Sequence, residues 1–170
     1  MAGLCQGKAS HSFATMKTMH LAAALSALLV APASAQAQTA RPMLDYASAA
    51  SIRDSCLAWA AQRDLTVAVA VYDEAGRLIT FALADGAPTA VAEFAMWKGR
   101  SAATLHIASK DTANWGPGAP GLATWEGGLP VFTAEGAALG GVGVSGADSA
   151  EDTACGEAGI AAAGLRAARD

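Results

Sequence analysis

The sequence predicts an α+β fold, an antiparallel sheet with helices packed on it, in the order α-β-β-α-β-β-α. Three segments repeat apolar residues at helical spacing, and two pairs of segments alternate apolar and β-branched residues across short turns, as hairpins do. One helix separates the hairpins and the other two flank them. Because each hairpin pairs its strands antiparallel, a doubly wound parallel sheet is excluded.

The first half of the predicted domain is a helix followed by a hairpin. Apolar residues recur at helical spacing over residues 45–63, with polar residues on the opposite side. Residues 66–72 then have β-branched residues at alternate positions, as a strand does. Residues 73–76 supply a turn that contains Asp and Gly, and residues 78–83 form the return strand.

The centre of the domain is a long helix and a long loop. Residues 85–88 break the second strand, and the Ala-rich residues 89–108 carry an apolar stripe at helical spacing. Residues 111–128 are rich in Gly and contain Trp115 and Trp125. They predict a long ordered loop or a lid. Loops of this length usually have a function.

A second hairpin and a last helix complete the domain. Residues 129–133 and 138–144 form the two strands, around a turn at residues 135–136. Asp148 and Glu151 resemble a capping box that opens a helix reaching about residue 168.

An export signal precedes this domain. Lys17 is followed by an uncharged, mostly apolar run at residues 21–31, and two small-x-small cleavage sites follow within residues 33–37. This run is well short of the ~20 residues that span a bilayer as a helix. Cleavage is therefore favoured over anchoring.

Cleavage divides the chain into a signal at residues 1–37, a loose tail at residues 38–44 and a domain at residues 45–170. The true start is expected at Met16 or Met19, because either gives a signal of ordinary length. We expect an exported protein, periplasmic or secreted, without a membrane span.

Removal of the signal also changes the charge and the cysteine count. From residue 39 onward there are nine Lys or Arg and fifteen Asp or Glu, a formal net charge of −6, which argues against a nucleic-acid partner. Cys5 is lost, and Cys56 and Cys155 remain in a compartment that permits disulfides. A bridge between them is favoured over two buried thiols, and its long loop would stabilise the fold by ~4 kcal/mol.

Two motifs near the end of the chain match enzyme signatures only in part. Gly141-x-Gly143-x-x-Gly146 fits the dinucleotide-binding pattern, but that pattern needs a βαβ unit with an acidic residue on a further strand. We therefore expect these glycines to admit another backbone or a ligand close to the strand. Ser145 lacks the full nucleophile-elbow sequence and has only His106 as a base, which disfavours a serine hydrolase.

Several different short motifs are spread along the whole mature chain. They are Asp73-x-x-Gly76, Asp85-Gly86-Ala87, Lys98, Gly127-Gly128-Leu129-Pro130, Gly141-x-Gly143-Val144-Ser145-Gly146, and Asp152 with Ala158-Gly159. In this order they resemble the motifs of GlcG/HbpS-like haem-binding proteins, and they are specific as a set. The resemblance implies a profilin-like domain, a homo-oligomer, and a small flat ligand such as haem or a related tetrapyrrole. Some members are described as haem-degrading, as redox sensors or as attached to corrinoid enzymes.

Few residues can ligate a haem iron in such a domain. Cleavage leaves His106 as the sole histidine, and Met96 lies on the same face of the central helix. Ten residues at 1.5 Å each separate the two by about 15 Å, so they cannot bind one iron together. Among the possible ligands His106 is preferred, and the alternative of a surface histidine at a helix C-terminus stays open. Gly99 and Ala103, between them, leave this face shallow enough for a flat macrocycle or for a helix of a second subunit.

Three further residues are candidates for contacts with the ligand. Lys98 shares a helical stripe with apolar residues, so we expect it half-buried and paired, either with a propionate of the ligand or with another carboxylate. The alternative is a side chain that snorkels to solvent. Trp115 and Trp125 either stack on a flat ligand or cover the edge of the sheet beneath the loop.

Three functions are compatible with these residues: a haem-binding module, an enzyme that acts on haem or another small molecule, and a cofactor-free sensory or assembly domain. The resemblance favours the first, although likeness of fold alone does not fix function.

Overall fold

The helices and strands of the structure follow one another in the order that the sequence pattern predicts. The structure, a computed structural model, describes residues 39–115 and 121–169, and the predicted export signal at residues 1–37 lies outside them. Within the described residues the helices are α1 (Tyr46–Ala61), α2 (Ala90–Leu105) and α3 (Ser149–Ala162), with a 3-10 helix at Ser109–Thr112. The strands are β1 (Ala68–Asp73), β2 (Leu78–Leu83), β3 (Gly128–Phe132) and β4 (Ala138–Ser145). The predicted order α-β-β-α-β-β-α is confirmed, and none of the described helices is long and apolar enough to cross a membrane.

The four strands form one sheet in the order β2-β1-β4-β3, with every neighbouring pair antiparallel. The two hairpins therefore lie side by side, joined through β1 and β4. These two central strands are buried along nearly their whole length, because helices cover both faces of the sheet. The predicted antiparallel sheet with helices packed on it is confirmed.

The alternation of side chains along β1 determines which helix packs on which face. Val69 and Val71 belong to the core beneath α1 and α3, whereas Ala68 and Ala70 face α2. The core beneath α1 and α3 begins at Leu44, which is buried, while residues 39–43 of the predicted tail are exposed.

A disulfide joins α1 to α3 and confirms the bridge that the sequence predicts. Cys56 and Cys155 are separated by 99 residues of sequence, and both are buried in the core beneath the two helices. Close to the bridge, a Cβ added to Gly159 of α3 would collide with the carbonyl oxygen of Ile52 in α1. The two helices therefore form one closely packed layer.

Glycines allow α2 to lie directly on β4. A Cβ at Gly143 would collide with the carbonyl oxygen of Ala95, and one at Gly141 would lie 2.5 Å from the amide nitrogen of Ala103. The prediction that the β4 glycines admit another backbone is confirmed. The expectation that Gly99 and Ala103 leave a face open to a macrocycle or a second subunit is wrong, because the sheet covers that face and both residues are buried.

The last helix is shorter than the sequence predicts. α3 ends at Ala162 rather than near residue 168, because Gly164 adopts a left-handed conformation (φ 71°) that ends the helix. The chain then returns along the outer edge of β3, where Phe132 and Arg166 exchange two backbone hydrogen bonds of 2.8 and 3.0 Å. This segment covers a sheet edge that would otherwise expose unpaired backbone groups.

The capping box predicted at the start of α3 does not form. Asp148 is the N-cap residue, but its side chain makes no capping hydrogen bond. The carboxylate of Asp152, one turn later, accepts a hydrogen bond of 3.1 Å from the amide of Ala147 instead. Sequence spacing alone could not show this, because the position of Asp152 depends on a partner in α2.

Candidate functional site

A cavity of about 490 Å³ opens where the end of α2 meets the edge of β3 and the C-terminal segment. Its size falls within the range of about 300–1,000 Å³ that is usual for sites of small molecules and cofactors. His106 and Ile107 line it from the end of α2, and Leu129, Pro130 and Phe132 line it from β3. Glu157 of α3 and Arg169 of the C-terminal segment close the remaining sides.

His106 holds an unusual position at this cavity. It is the C-cap residue of α2, with a left-handed backbone (φ 59°), a conformation that few residues other than glycine adopt. Its side chain is 29% exposed, and Nε2 lies 3.6 Å from Oε1 of Glu74, in the turn between β1 and β2. Nε2 is buried and makes no hydrogen bond within the described part of the chain. The left-handed residue ends α2 and brings His106 to the cavity, whereas its Nε2 faces Glu74.

The walls of the cavity combine apolar surface with charge. Phe132, Leu129 and Pro130 supply an apolar wall, and the guanidinium of Arg169 lies 4.8 Å from the centroid of the Phe132 ring, a cation–π distance. Lys110 adds a second cation. Asp111 and Glu157 are also at the cavity, so the local charge is mixed.

Lys98 does not line this cavity. It is 1% exposed rather than half-buried as the sequence predicts, and its Nζ donates hydrogen bonds to Oδ2 of Asp152 (2.8 Å) and to the carbonyl oxygen of Val144 (2.8 Å). Ser145 Oγ lies at 3.4 Å from the same nitrogen. The three N–H groups of the ammonium are thus directed to partners inside the protein.

The pair of Lys98 and Asp152 connects α2 to α3 around the end of the sheet. Gly127, with a left-handed φ of 101°, passes beside it, and a Cβ there would lie 2.9 Å from the Lys98 nitrogen. Burial raises the pKa of the Asp152 carboxyl above its ordinary value, and the hydrogen bond and charge of Lys98 oppose that rise. The arrangement is structural, since neither group reaches the cavity.

The other predicted ligand contacts lie elsewhere. Met96 is partly buried against the small cluster between α2 and β1. Trp125 packs edge-on against Phe94 of α2, with ring centroids 6.0 Å apart, and Trp115 is 56% exposed. None of these three lines the cavity of His106. Of the five residues predicted to bind a cofactor, the structure therefore places only His106 there.

The predicted loop at residues 111–128 is ordered by hydroxyl groups where the structure describes it. Thr112 donates to the carbonyl oxygen of Ala123 (2.8 Å), and Ser101 accepts from the amide of the same residue (2.9 Å). Ser109 accepts from the amide of Gly128 (2.9 Å), immediately before the cavity wall begins. These bonds fix the start of β3, and with it Leu129 and Pro130 of the Gly127-Gly128-Leu129-Pro130 motif.

Sequence reasoning missed Phe132, Lys110, Arg169 and Glu74. They come from four separate segments, and the position of Arg169 depends on the early end of α3. The sequence feature that could have pointed to the site is the Gly127-Gly128-Leu129-Pro130 motif, because its Leu129 and Pro130 line the cavity.

Comparison with known proteins identifies the family. The family described as haem-degrading protein HbpS-like matches residues 44–161, most of the described chain. The chain belongs to the HbpS-like family. No curated protein sequence matches it.

Solved structures agree with this assignment of the HbpS-like chain. HbpS is 29% identical, with a TM-score of 0.68 over 74% of this chain and 93% of that one. A double mutant of HbpS from Streptomyces reticuli is 28% identical, with a TM-score of 0.67 over 73% of this chain and 89% of that one. A complex of PduOC with haem is 20% identical, with a TM-score of 0.68 over 75% of this chain and 100% of that one, and shows likeness of fold.

Proposed function

We propose that this HbpS-like protein binds haem, or a closely related tetrapyrrole, in the cavity beside His106. The observation that carries the proposal is the meeting of an imidazole, an aromatic ring and two cations at one cavity of about 490 Å³. A bound haem would supply a redox-active iron, and the imidazole of His106 would hold it. Histidine is a common ligand of haem iron.

The residues of the cavity fit such a ligand. Leu129, Pro130 and Phe132 offer apolar surface to a flat macrocycle, and Lys110 and Arg169 are cations of the type that binds carboxylates. The family description supports the proposal, as does the fold shared with PduOC, which is solved as a complex with haem.

The proposal includes export and self-association. Export is supported by the signal-like residues 1–37 and by the Cys56–Cys155 bridge, which suits an oxidising compartment. A homo-oligomer is supported by the partly exposed aromatic rings of Phe94, Trp97 and Trp125. Light scattering of the purified protein tests the oligomer, and a single-chain mass would contradict it.

Titration with hemin tests the binding proposal. The wild type is expected to shift the Soret band of hemin to a saturating end point, and His106→Asn is expected to lose the spectrum of the coordinated iron. Asn is chosen because it tolerates the left-handed backbone at this position. Met96→Leu is the matched control, and its spectrum is expected to equal that of the wild type. A wild-type spectrum from His106→Asn would contradict ligation by His106.

Replacement of Arg169 tests the carboxylate contact. Arg169→Gln is expected to weaken hemin binding about ten-fold, because it removes one charged partner of a propionate. The control is Arg63→Gln, because Arg63 lies 3.8 Å from the ring centroid of Trp59, a similar cation–π contact away from the cavity. Equal affinities of Arg169→Gln and wild type for hemin would exclude the contact. The dimethyl ester of haem has no free carboxylate, so if Arg169→Gln weakened its binding as much as that of hemin, a contact with a propionate would also be excluded.

An enzyme that degrades haem is the second candidate, and the family description favours it. The two functions differ in the fate of the ligand. Binding alone predicts a stable Soret band when a reductant is added in air, whereas degradation predicts steady loss of the band with release of iron.

A further inference from the structure

Glu74 is an acidic residue that lies beside the imidazole of His106. Its Oε1 lies 3.6 Å from Nε2 of His106, and 3.9 Å from the guanidinium of Arg41. Nε2 is buried there and has no hydrogen-bond partner among the described residues. The histidine side chain is nevertheless 29% exposed, so it is the nitrogen beside Glu74, rather than the ring as a whole, that is withdrawn from solvent.

This orientation conflicts with ligation of a flat macrocycle. Nε2 is the ring nitrogen that can approach the centre of such a ligand freely, because Nδ1 is flanked by the Cβ of its own side chain. A nitrogen that is buried against a carboxylate cannot at the same time coordinate iron in the cavity. The imidazole must therefore leave Glu74 before it can bind.

We infer that Glu74 holds His106 in a non-binding orientation and so lowers the affinity of the cavity for its ligand. The inference rests on the proposed function. When only a fraction of the protein has the competent orientation, the apparent dissociation constant rises by the inverse of that fraction. An electrostatic contact between partly exposed side chains corresponds to a factor of about two to five.

The affinity of Glu74→Ala for hemin tests the inference. Its dissociation constant is expected to be about two-fold to five-fold lower than that of the wild type. Glu93→Ala is the matched control, because Glu93 is exposed in the first turn of α2, at the end of the helix opposite His106. Arg41→Ala is the second control, because it removes the other partner of Glu74 and leaves the contact with His106 in place. Both controls are expected to bind hemin no more tightly than the wild type.

Three outcomes would overturn the inference. An unchanged or weaker affinity of Glu74→Ala would show that Glu74 does not compete with the ligand. An equal gain in Glu93→Ala would show a general effect of negative charge. An equal gain in Arg41→Ala would assign the effect to the pair of Arg41 and Glu74.

A measurement without ligand separates this inference from the proposed function. In the unliganded wild type we expect a nuclear Overhauser effect between ring protons of His106 and the side chain of Glu74, assigned against His106→Asn. Its absence would overturn the inference even if hemin binds. Failure of the wild type to bind hemin would overturn the proposed function, while the Overhauser effect would still report the contact.

Discussion

Replacing Lys98 with methionine is expected to lower the free energy of unfolding by about 3–5 kcal/mol. The substitution keeps the length of the side chain but leaves the carboxylate of Asp152 buried, at 2% exposure, without its cation. It also removes the donor to the carbonyl oxygen of Val144. Urea unfolding of variant and wild type, followed by circular dichroism, measures the difference.

The double variant Lys98→Met/Asp152→Asn is the control for this experiment. It removes both charges and keeps an acceptor for the amide of Ala147. It is expected to lose less stability than Lys98→Met, because the main cost of the single variant is the uncompensated charge. If the single variant were as stable as the wild type, the buried pair would have no structural role.

The stability that Lys98→Met loses is expected to depend on pH. Without Lys98, the hydrogen bond from the amide of Ala147 is the main remaining influence that opposes burial, so the pKa of Asp152 in the folded state rises further above its unfolded value. A carboxyl with a raised folded pKa binds its proton more tightly in the folded state, so stability falls as pH rises through that pKa. The deficit of Lys98→Met should therefore be smaller at about pH 5 than at about pH 8.

Removal of the disulfide is the second large change. Cys56→Ala/Cys155→Ala is expected to lower the free energy of unfolding by about 4 kcal/mol, because the bridge closes a loop across 99 residues in the unfolded chain. The comparison is made by denaturant unfolding of the oxidised wild type and of the variant.

Reduced wild type provides the matched control for the disulfide. Both cysteines are buried, so the reductant must be added in denaturant and retained during refolding. The reduced wild type is expected to unfold close to the double variant. Equal stability of the oxidised wild type and the variant would contradict a stabilising bridge.

The elements of the fold could be predicted because their signals are local. The valines and alanines of β1 alternate in sequence as they alternate between the faces of the sheet. The β4 glycines mark the close approach of α2, and the two cysteines of the domain mark the pairing of α1 with α3. The strand and glycine patterns each lie within one segment of the sequence, and each cysteine of the domain has only the other as a partner.

The cavity and the buried ion pair could not be predicted because they depend on long-range packing. Lys98 and Asp152 are 54 residues apart, and nothing in the sequence of either helix shows that they meet around the end of the sheet. Arg169 reaches the cavity only because α3 ends at Ala162 and the chain turns back along β3. Periodicity also placed Gly99 on a helix face without showing that β4 covers it.

Nuclear magnetic resonance of the protein with gallium protoporphyrin, a diamagnetic analogue of haem, shows where the macrocycle binds. A macrocycle in the cavity beside His106 would shift the methyl signals of Ile107, Leu129 and Ala167, which line it. We expect large ring-current shifts for these three residues and small ones for Met96 in the cluster between α2 and β1. Large shifts at Met96, with Ile107 and Leu129 unchanged, would place the macrocycle elsewhere and overturn haem binding beside His106.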